Sequence, residues 1–286
     1  MPGPLRRIAD LMGEARLWAR SMPAVRFFLH RVLWDAGFPW TRLTPTPLAR
    51  VFPGIERAAG SVEVVHPFER TRGTSLELEE LIAVLAIARF RGARRAVEVG
   101  TFDGNTALNL ALNLGPEGRV VTIDLPPDGD PHAANAGAGS IYAGGRPTPF
   151  ERRQYADHPA ATRIRQVHGD SARLDWSALG GPFDFALIDG DHSAAYVAGD
   201  TRHVLSVLAP GGTVLWHDYD WHDVAAVIDA AAARGAPIAW IRSTRLAAAT
   251  IMDPAAVADT FRWPPAAGGA PLGGGRARLT GAAPDP

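Results

Sequence analysis

Glu98-Val99-Gly100-Thr101-Phe102-Asp103-Gly104-Asn105-Thr106 decides how this chain is read. The stretch follows the apolar run Ala96 to Val99 and leads into a helical pattern over Thr106 to Leu114. Gly100 and Gly104 let the backbone turn tightly and let a ligand approach, and the helix N-terminus behind them offers free N–H groups. Outward from this turn, apolar runs recur at Val120 to Asp124, Ile164 to His168, Phe183 to Asp189 and Thr213 to His217. Helical stretches lie between them, notably Ala194 to Leu208, and Val224 to Arg234 follows the last. This alternation predicts βαβ units: an α/β, doubly wound, mostly parallel sheet with helices on both faces. Ligands on such sheets bind outside the carboxyl ends of the strands, so the strand exits are the places to read for chemistry.

Two further runs, Ile238 to Ile241 and Leu246 to Ile251, are separated only by Arg242 to Arg245. That gap is too short for a helical crossover and predicts a terminal antiparallel hairpin, bringing the sheet to seven strands. Phe102 stands where a GxGxxG loop has its middle glycine, so a pyrophosphate would be crowded. No Tyr-x-x-x-Lys occurs either, and both absences weigh against an NAD(P)-dependent oxidoreductase. Asp124 ends the second strand where an acid accepts both hydroxyl protons of a ribose.

The bulk properties bound the rest. A chain of 286 residues accommodates one main domain with decorations. Its 29 basic and 30 acidic residues leave a formal net charge of -1, so no global field favours nucleic acid or an anionic membrane. The absence of cysteine excludes disulfides, thiolate metal sites and cysteine nucleophiles. Residues 1–73 form a helical, Pro-broken leader or cap, in which Arg6, Arg7, Arg16, Arg20, Arg26 and Arg31 rule out a membrane span and a signal peptide. A helix packed on its own domain is preferred there over an amphipathic surface helix. Residues 74–253 carry the sheet, opening on the capping-box pattern Thr74-Ser75-Leu76-Glu77. Residues 264–286 are a Pro/Gly/Ala tail without the apolar content to fold. A cytoplasmic location is expected.

As an ordered set, Glu98-x-Gly100-x-x-x-Gly104-x-Thr106, Asp124, His168-Gly169-Asp170-Ser171 and Pro210-Gly211-Gly212 resemble the motifs of class I methyltransferases that use S-adenosylmethionine (SAM), in the catechol O-methyltransferase-like branch. The likeness runs from about Thr74 to Asp253 and includes the terminal hairpin. It implies a Rossmann-like methyltransferase fold and an enzyme that binds SAM through Glu98, Gly100, Thr101, Gly104, Asn105, Asp124, Asp170 and Ser171.

At the other end of the pocket, Leu187-Ile188-Asp189-Gly190-Asp191-His192 and Leu215-Trp216-His217-Asp218-Tyr219 leave neighbouring strands and gather carboxylates and imidazoles. Such a gathering needs a compensating cation or protons. Asp189, His217 and Asp218 fall where the resembled branch holds its divalent metal, and His192 where it carries its catalytic base. Magnesium is the family's usual ion; the imidazole of His217 shifts the preference toward Mn, Fe or Zn, or else His217 stays outside the coordination sphere. The resemblance thus implies O-methylation of a small hydroxylated molecule, without nucleic acid and without a membrane span. Metal-independent transfer and a non-catalytic SAM-binding regulatory subunit remain open. The long segment between Asp124 and Arg163 is lid-like, and with the aromatic leader it offers places for homo-oligomer contacts. Trp221-His222-Asp223 reads slightly better as a helix cap than as pocket lining.

Overall fold

A computed structural model describes residues 32–66, 76–125 and 153–264, and in them one sheet organises everything else. Its strands are β1 (Pro45–Thr46), β2 (Arg95–Val99), β3 (Arg119–Asp124), β4 (Ile164–His168), β5 (Phe183–Ile188), β6 (Leu208–Trp216), β7 (Ala239–Ile241) and β8 (Ala247–Ile251). They lie in the order β1-β7-β8-β6-β5-β2-β3-β4. β4, β3, β2, β5 and β6 pair in parallel. β8 runs antiparallel to both β6 and β7, which is the expected hairpin.

The sheet has eight strands where the apolar runs predict seven. The eighth is Pro45–Thr46 from the leader, too short and polar to stand out in the sequence. It pairs in parallel with Trp240 and Ile241, and its edge is fixed by the Arg242 N–H donating to the Thr46 carbonyl at 2.9 Å.

Among the described residues the four longest helices flank the sheet: α1 (Leu78–Phe90), α2 (Asn105–Asn113), α3 (Ala194–Val207) and α4 (His222–Ala233). On one face α3 and α4 pack over Val97, Ile188, Val214 and Trp216, joined by Trp34 and Phe38 of the leader. On the other, α1 and α2 pack over Ala96, Phe185, Leu187 and Leu215. Each large apolar side chain buried this way contributes about 1.5–3 kcal/mol. α1 begins three residues later than the Thr74 pattern predicts. Glu77 is its extended N-cap, and the reciprocal pair of the capping box is Glu77 with Glu80, whose carboxylate accepts from the Glu77 N–H at 2.9 Å. Thr74 and Ser75 lie outside the described residues, as do the Arg-rich leader through residue 31, most of the lid-like insertion (126–152) and the tail from 265.

α2 carries asparagines one turn apart. Asn113 accepts from the Glu63 N–H at 3.0 Å and donates to the Glu63 carbonyl at 2.7 Å. Asn109 does the same for Val65 at 2.8 and 3.2 Å. The strap 63–66 is thereby tied to the helix that rises from Gly104. No helix among the described residues is long and apolar enough to cross a membrane.

Candidate active site

Backbone hydrogen bonds bring the strand exits together. The Gly100 N–H donates to the Ile123 carbonyl at 2.9 Å, Asp189 to Val99 at 2.9 Å, and His217 to Ile188 at 3.0 Å. Gly100 has φ +95°, and a Cβ there would come within 2.0 Å of the Asp189 carbonyl oxygen. Gly104 has φ +82°, and a Cβ would meet the Tyr155 ring at 2.7 Å. Both positions therefore require glycine, in conformation and in space.

Below this turn runs a buried polar chain. Tyr155 donates to Gln166 at 2.7 Å, Gln166 to Thr101 at 2.9 Å, and the Thr101 and Thr122 hydroxyls lie 2.6 Å apart. Thr122 donates to Glu98 at 2.5 Å. Burial pushes the Glu98 carboxyl up to about 8, against the Thr122 hydrogen bond and with added repulsion from Asp189, Asp103 and Asp124. Asp124 accepts from the Phe102 N–H at 3.2 Å, from Leu125 N–H at 2.9 Å and from the Arg153 guanidinium at 3.1 Å. Asn105 donates to Gln154 at 2.8 Å. Asp170 accepts from the Ala172 N–H at 3.0 Å and the Tyr196 hydroxyl at 3.1 Å, and the carbonyl of buried Ser171 takes the Trp176 indole at 2.9 Å.

The exits of β5 and β6 carry a dense ion network. His192 Nε2 lies 2.7 Å from Asp218 Oδ2 and 3.9 Å from Asp189 Oδ1. His217 sits between Asp189 and Glu80, with Nδ1 and Nε2 each 3.0 Å from a carboxylate oxygen. Arg245 donates to Asp218 at 2.7 Å and to Glu80 at 2.7 and 3.1 Å. Among the described residues, Asp189, His192 and Asp218 offer one ligand atom each within 4.8 Å of one another. That oxygen and nitrogen set fits a divalent ion of the Mn, Fe or Zn type. His217 instead spends both ring nitrogens on carboxylates. Asp191 accepts from the Ser193 N–H at 2.7 Å, at the start of α3.

Electrostatics follow from burial and pairing. Burial opposes charge on both imidazoles, yet Asp218 with Asp189 lifts the His192 pKa above its ordinary value, and Asp189, Asp218 and Glu80 lift that of His217 well above. Asp218 is held well below the usual carboxylate range; burial works against this, and His217 and His192 outweigh it. Glu80 is likewise lowered, by His217 and Arg245 against burial. The turn that carries Asp218 is fixed at every residue. Tyr219 donates to Asp229, and the Trp34 and Trp40 indoles donate to Asp220 at 3.2 and 2.8 Å. Trp221 stacks on His192 with centroids 4.6 Å apart, while His222 and Asp223 pair with each other in solvent.

Residues 97–219 match the family model described as a methyltransferase domain. That segment is similar to a methyltransferase domain. The chain is 34% identical over 107 residues to the catechol O-methyltransferase of Mycobacterium tuberculosis, covering 37% of this chain and 40% of that protein. It is 31% identical over 156 residues to the catechol O-methyltransferase domain-containing protein 1 of Mus musculus, covering 52% of this chain and 53% of that protein. The chain thus spans about half the length, or less, of these relatives. The O-methyltransferase TomG of Streptomyces achromogenes, solved in complex with SAM, aligns over 76% of this chain and 95% of its own at 18% identity and a TM-score of 0.47.

Two functional candidates and one pairing escape a reading of the sequence. Glu80 lies in the first turn of an apolar helix and Arg245 in a hairpin turn. Arg153, an insertion arginine expected to face an acidic substrate, pairs instead with Asp124. Glu80 is the one with a signal: an acid on the face that α1 buries needs a partner.

Proposed function

We propose that the protein is a SAM-dependent O-methyltransferase acting on a small hydroxylated molecule in the cytoplasm, assisted by a divalent metal. The single observation that supports this most is the contact between Gly100 and Asp189, which sets the ligand-approach turn of β2 directly against the first acid of the Asp189, His192, Asp218 cluster. Glu98, Gly100, Thr101, Gly104, Asn105, Asp124, Asp170 and Ser171 are proposed to hold the adenosyl and methionine parts. Bound SAM supplies a methyl group already activated by a sulfonium, and a divalent ion held by Asp189, His192 and Asp218 supplies positive charge beside the acceptor oxygen.

The chain's own work is to align the acceptor and to receive its proton. Arg245 and Glu80 hold Asp218, and Asp218 orients His192, whose other face is covered by Trp221. Alignment of this kind is worth several kcal/mol of a displacement barrier. His192 is proposed as the group that takes the hydroxyl proton when no metal is bound; were it to hold the ion together with Asp189 and Asp218, Asp191 would be the nearest remaining carboxylate on the same loop.

A metal-independent reading has one observation in its favour. Arg245 already pairs with both Glu80 and Asp218, and His217 lies between Glu80 and Asp189, so these carboxylates have partners within the chain and His192 is left to act as base. Calorimetry with SAM and S-adenosylhomocysteine (SAH), repeated after chelation and with added Mg, Mn or Zn, tests both. Micromolar binding is expected. Absence of binding in every condition overturns the methyltransferase reading, and methyl transfer undiminished by chelation selects the metal-free one.

A further inference from the structure

Residues 153–155 belong to no motif of the cofactor site, yet each of the three touches it. The Gln154 N–H donates to the Asp103 carbonyl at 2.9 Å, its side chain donates to the Asp103 carboxylate at 3.0 Å, and it accepts from Asn105 at 2.8 Å. The Tyr155 ring closes against Gly104 and anchors below to Gln166. Arg153 reaches past them to Asp124, at 3.1 Å, with both side chains largely buried. We propose that Arg153–Tyr155 form a further wall of the cofactor pocket, and that Arg153 is a latch on Asp124 which the ribose of an adenosyl ligand must open.

The inference rests on the SAM reading above, because that reading makes Asp124 the ribose acid. Its own ground is a competition for oxygens. Asp124 Oδ1 already accepts from Leu125, and Oδ2 from Phe102 and Arg153. The two backbone donors belong to the turn itself and stay. The guanidinium arrives on a flexible side chain and is the partner that two ribose hydroxyls can replace. Gln154 and Tyr155 are pinned, so the exchange needs a side-chain swing and no movement of the segment. A ligand that binds only the unlatched form has its apparent affinity lowered by the fraction of protein in that form.

Arg153→Gln is therefore expected to bind SAH roughly three- to tenfold more tightly than the natural protein, the range set by a partly buried ion pair. The gain requires the hydroxyls: adenosine gains the same factor, whereas 2′,3′-dideoxyadenosine, which leaves the latch closed, gains nothing. Arg153→Lys, which keeps charge without the fork, falls between. Calorimetry on the full chain, with circular dichroism to confirm folding, reads these outcomes. Unchanged or weaker SAH binding by Arg153→Gln, or an equal gain for the dideoxy ligand, overturns the latch while leaving the cofactor reading intact. If neither protein binds SAH, the cofactor reading fails first and the latch with it.

Discussion

The carbonyl oxygen of Asp189 occupies the space that a side chain on residue 100 would need, 2.0 Å from the position of a Cβ. The turn proposed to receive the cofactor and the strand exit that begins the acceptor cluster are thus packed backbone to backbone. Gly100→Ala must move one of them, and at φ +95° it adds strain of about 1–3 kcal/mol. The expected result is a melting temperature lowered by several degrees, roughly 2–4 °C for each kcal/mol in a chain of this size, together with weaker SAH binding. A variant that melts and binds like the natural protein contradicts this packing.

Glu80→Gln probes the ion network from its buried end. The substitution leaves Arg245 and His217 short of a charged partner in a site where Glu80 is almost wholly enclosed. Loss of one member of a buried pair costs about 3–5 kcal/mol. Urea unfolding is expected to show a loss of that size, and a change under about 1 kcal/mol means that the network is more hydrated than its geometry indicates.

His192→Asn tests the proposed proton acceptor. A positioned general base contributes about 10²–10⁴-fold, so methyl transfer by the chelated protein is expected to fall by that range with SAH affinity preserved. Asp218→Asn, which removes the charge that orients His192 at 2.7 Å, is expected to lower turnover in the same direction. Normal turnover by the His192 variant across pH removes it from the mechanism.

Asp200 gives a pH signature separate from catalysis. Burial, reinforced by Asp191 and Asp170 and only partly offset by Ser171, pushes its carboxyl up to about 7. The folded protein then keeps a proton that the unfolded chain releases at ordinary carboxylate pH. This stabilisation is complete below the unfolded pKa of 3.8 and is lost as pH rises through about 7. Asp200→Asn does not titrate, so relative to the natural protein it gains about 2–3 kcal/mol between roughly pH 5 and pH 8. Parallel stability differences at both pH values contradict the shift.

The parts of the fold legible in the sequence are those encoded by local pattern. The core strands and the hairpin appear as short apolar runs with polar exits, and the exits carry the acids and imidazoles of the site because a parallel sheet aligns its carboxyl ends. What escaped is long-range. Glu80 meets His217 across 137 positions and Arg245 across 165, and no window of sequence contains such a pair. β1 escaped for a related reason, being two residues held by an edge more than 190 positions away. The family resemblance reads His217 either as a ligand or as a hydrogen-bonding neighbour of the metal site, and its ring lies between the carboxylates of Asp189 and Glu80.

The asparagines of α2 grip the strap 63–66 by its amides and carbonyls alone. A helix here performs the task of a neighbouring strand, so the strap is held without belonging to a sheet, while Val64 and Val65 add apolar packing against the core. Glu63 gives this grip only its backbone, so another residue there leaves both hydrogen bonds to Asn113 in place. Position 63 can diversify while Asn109 and Asn113 stay fixed, because a backbone-to-asparagine grip is indifferent to the residue it holds.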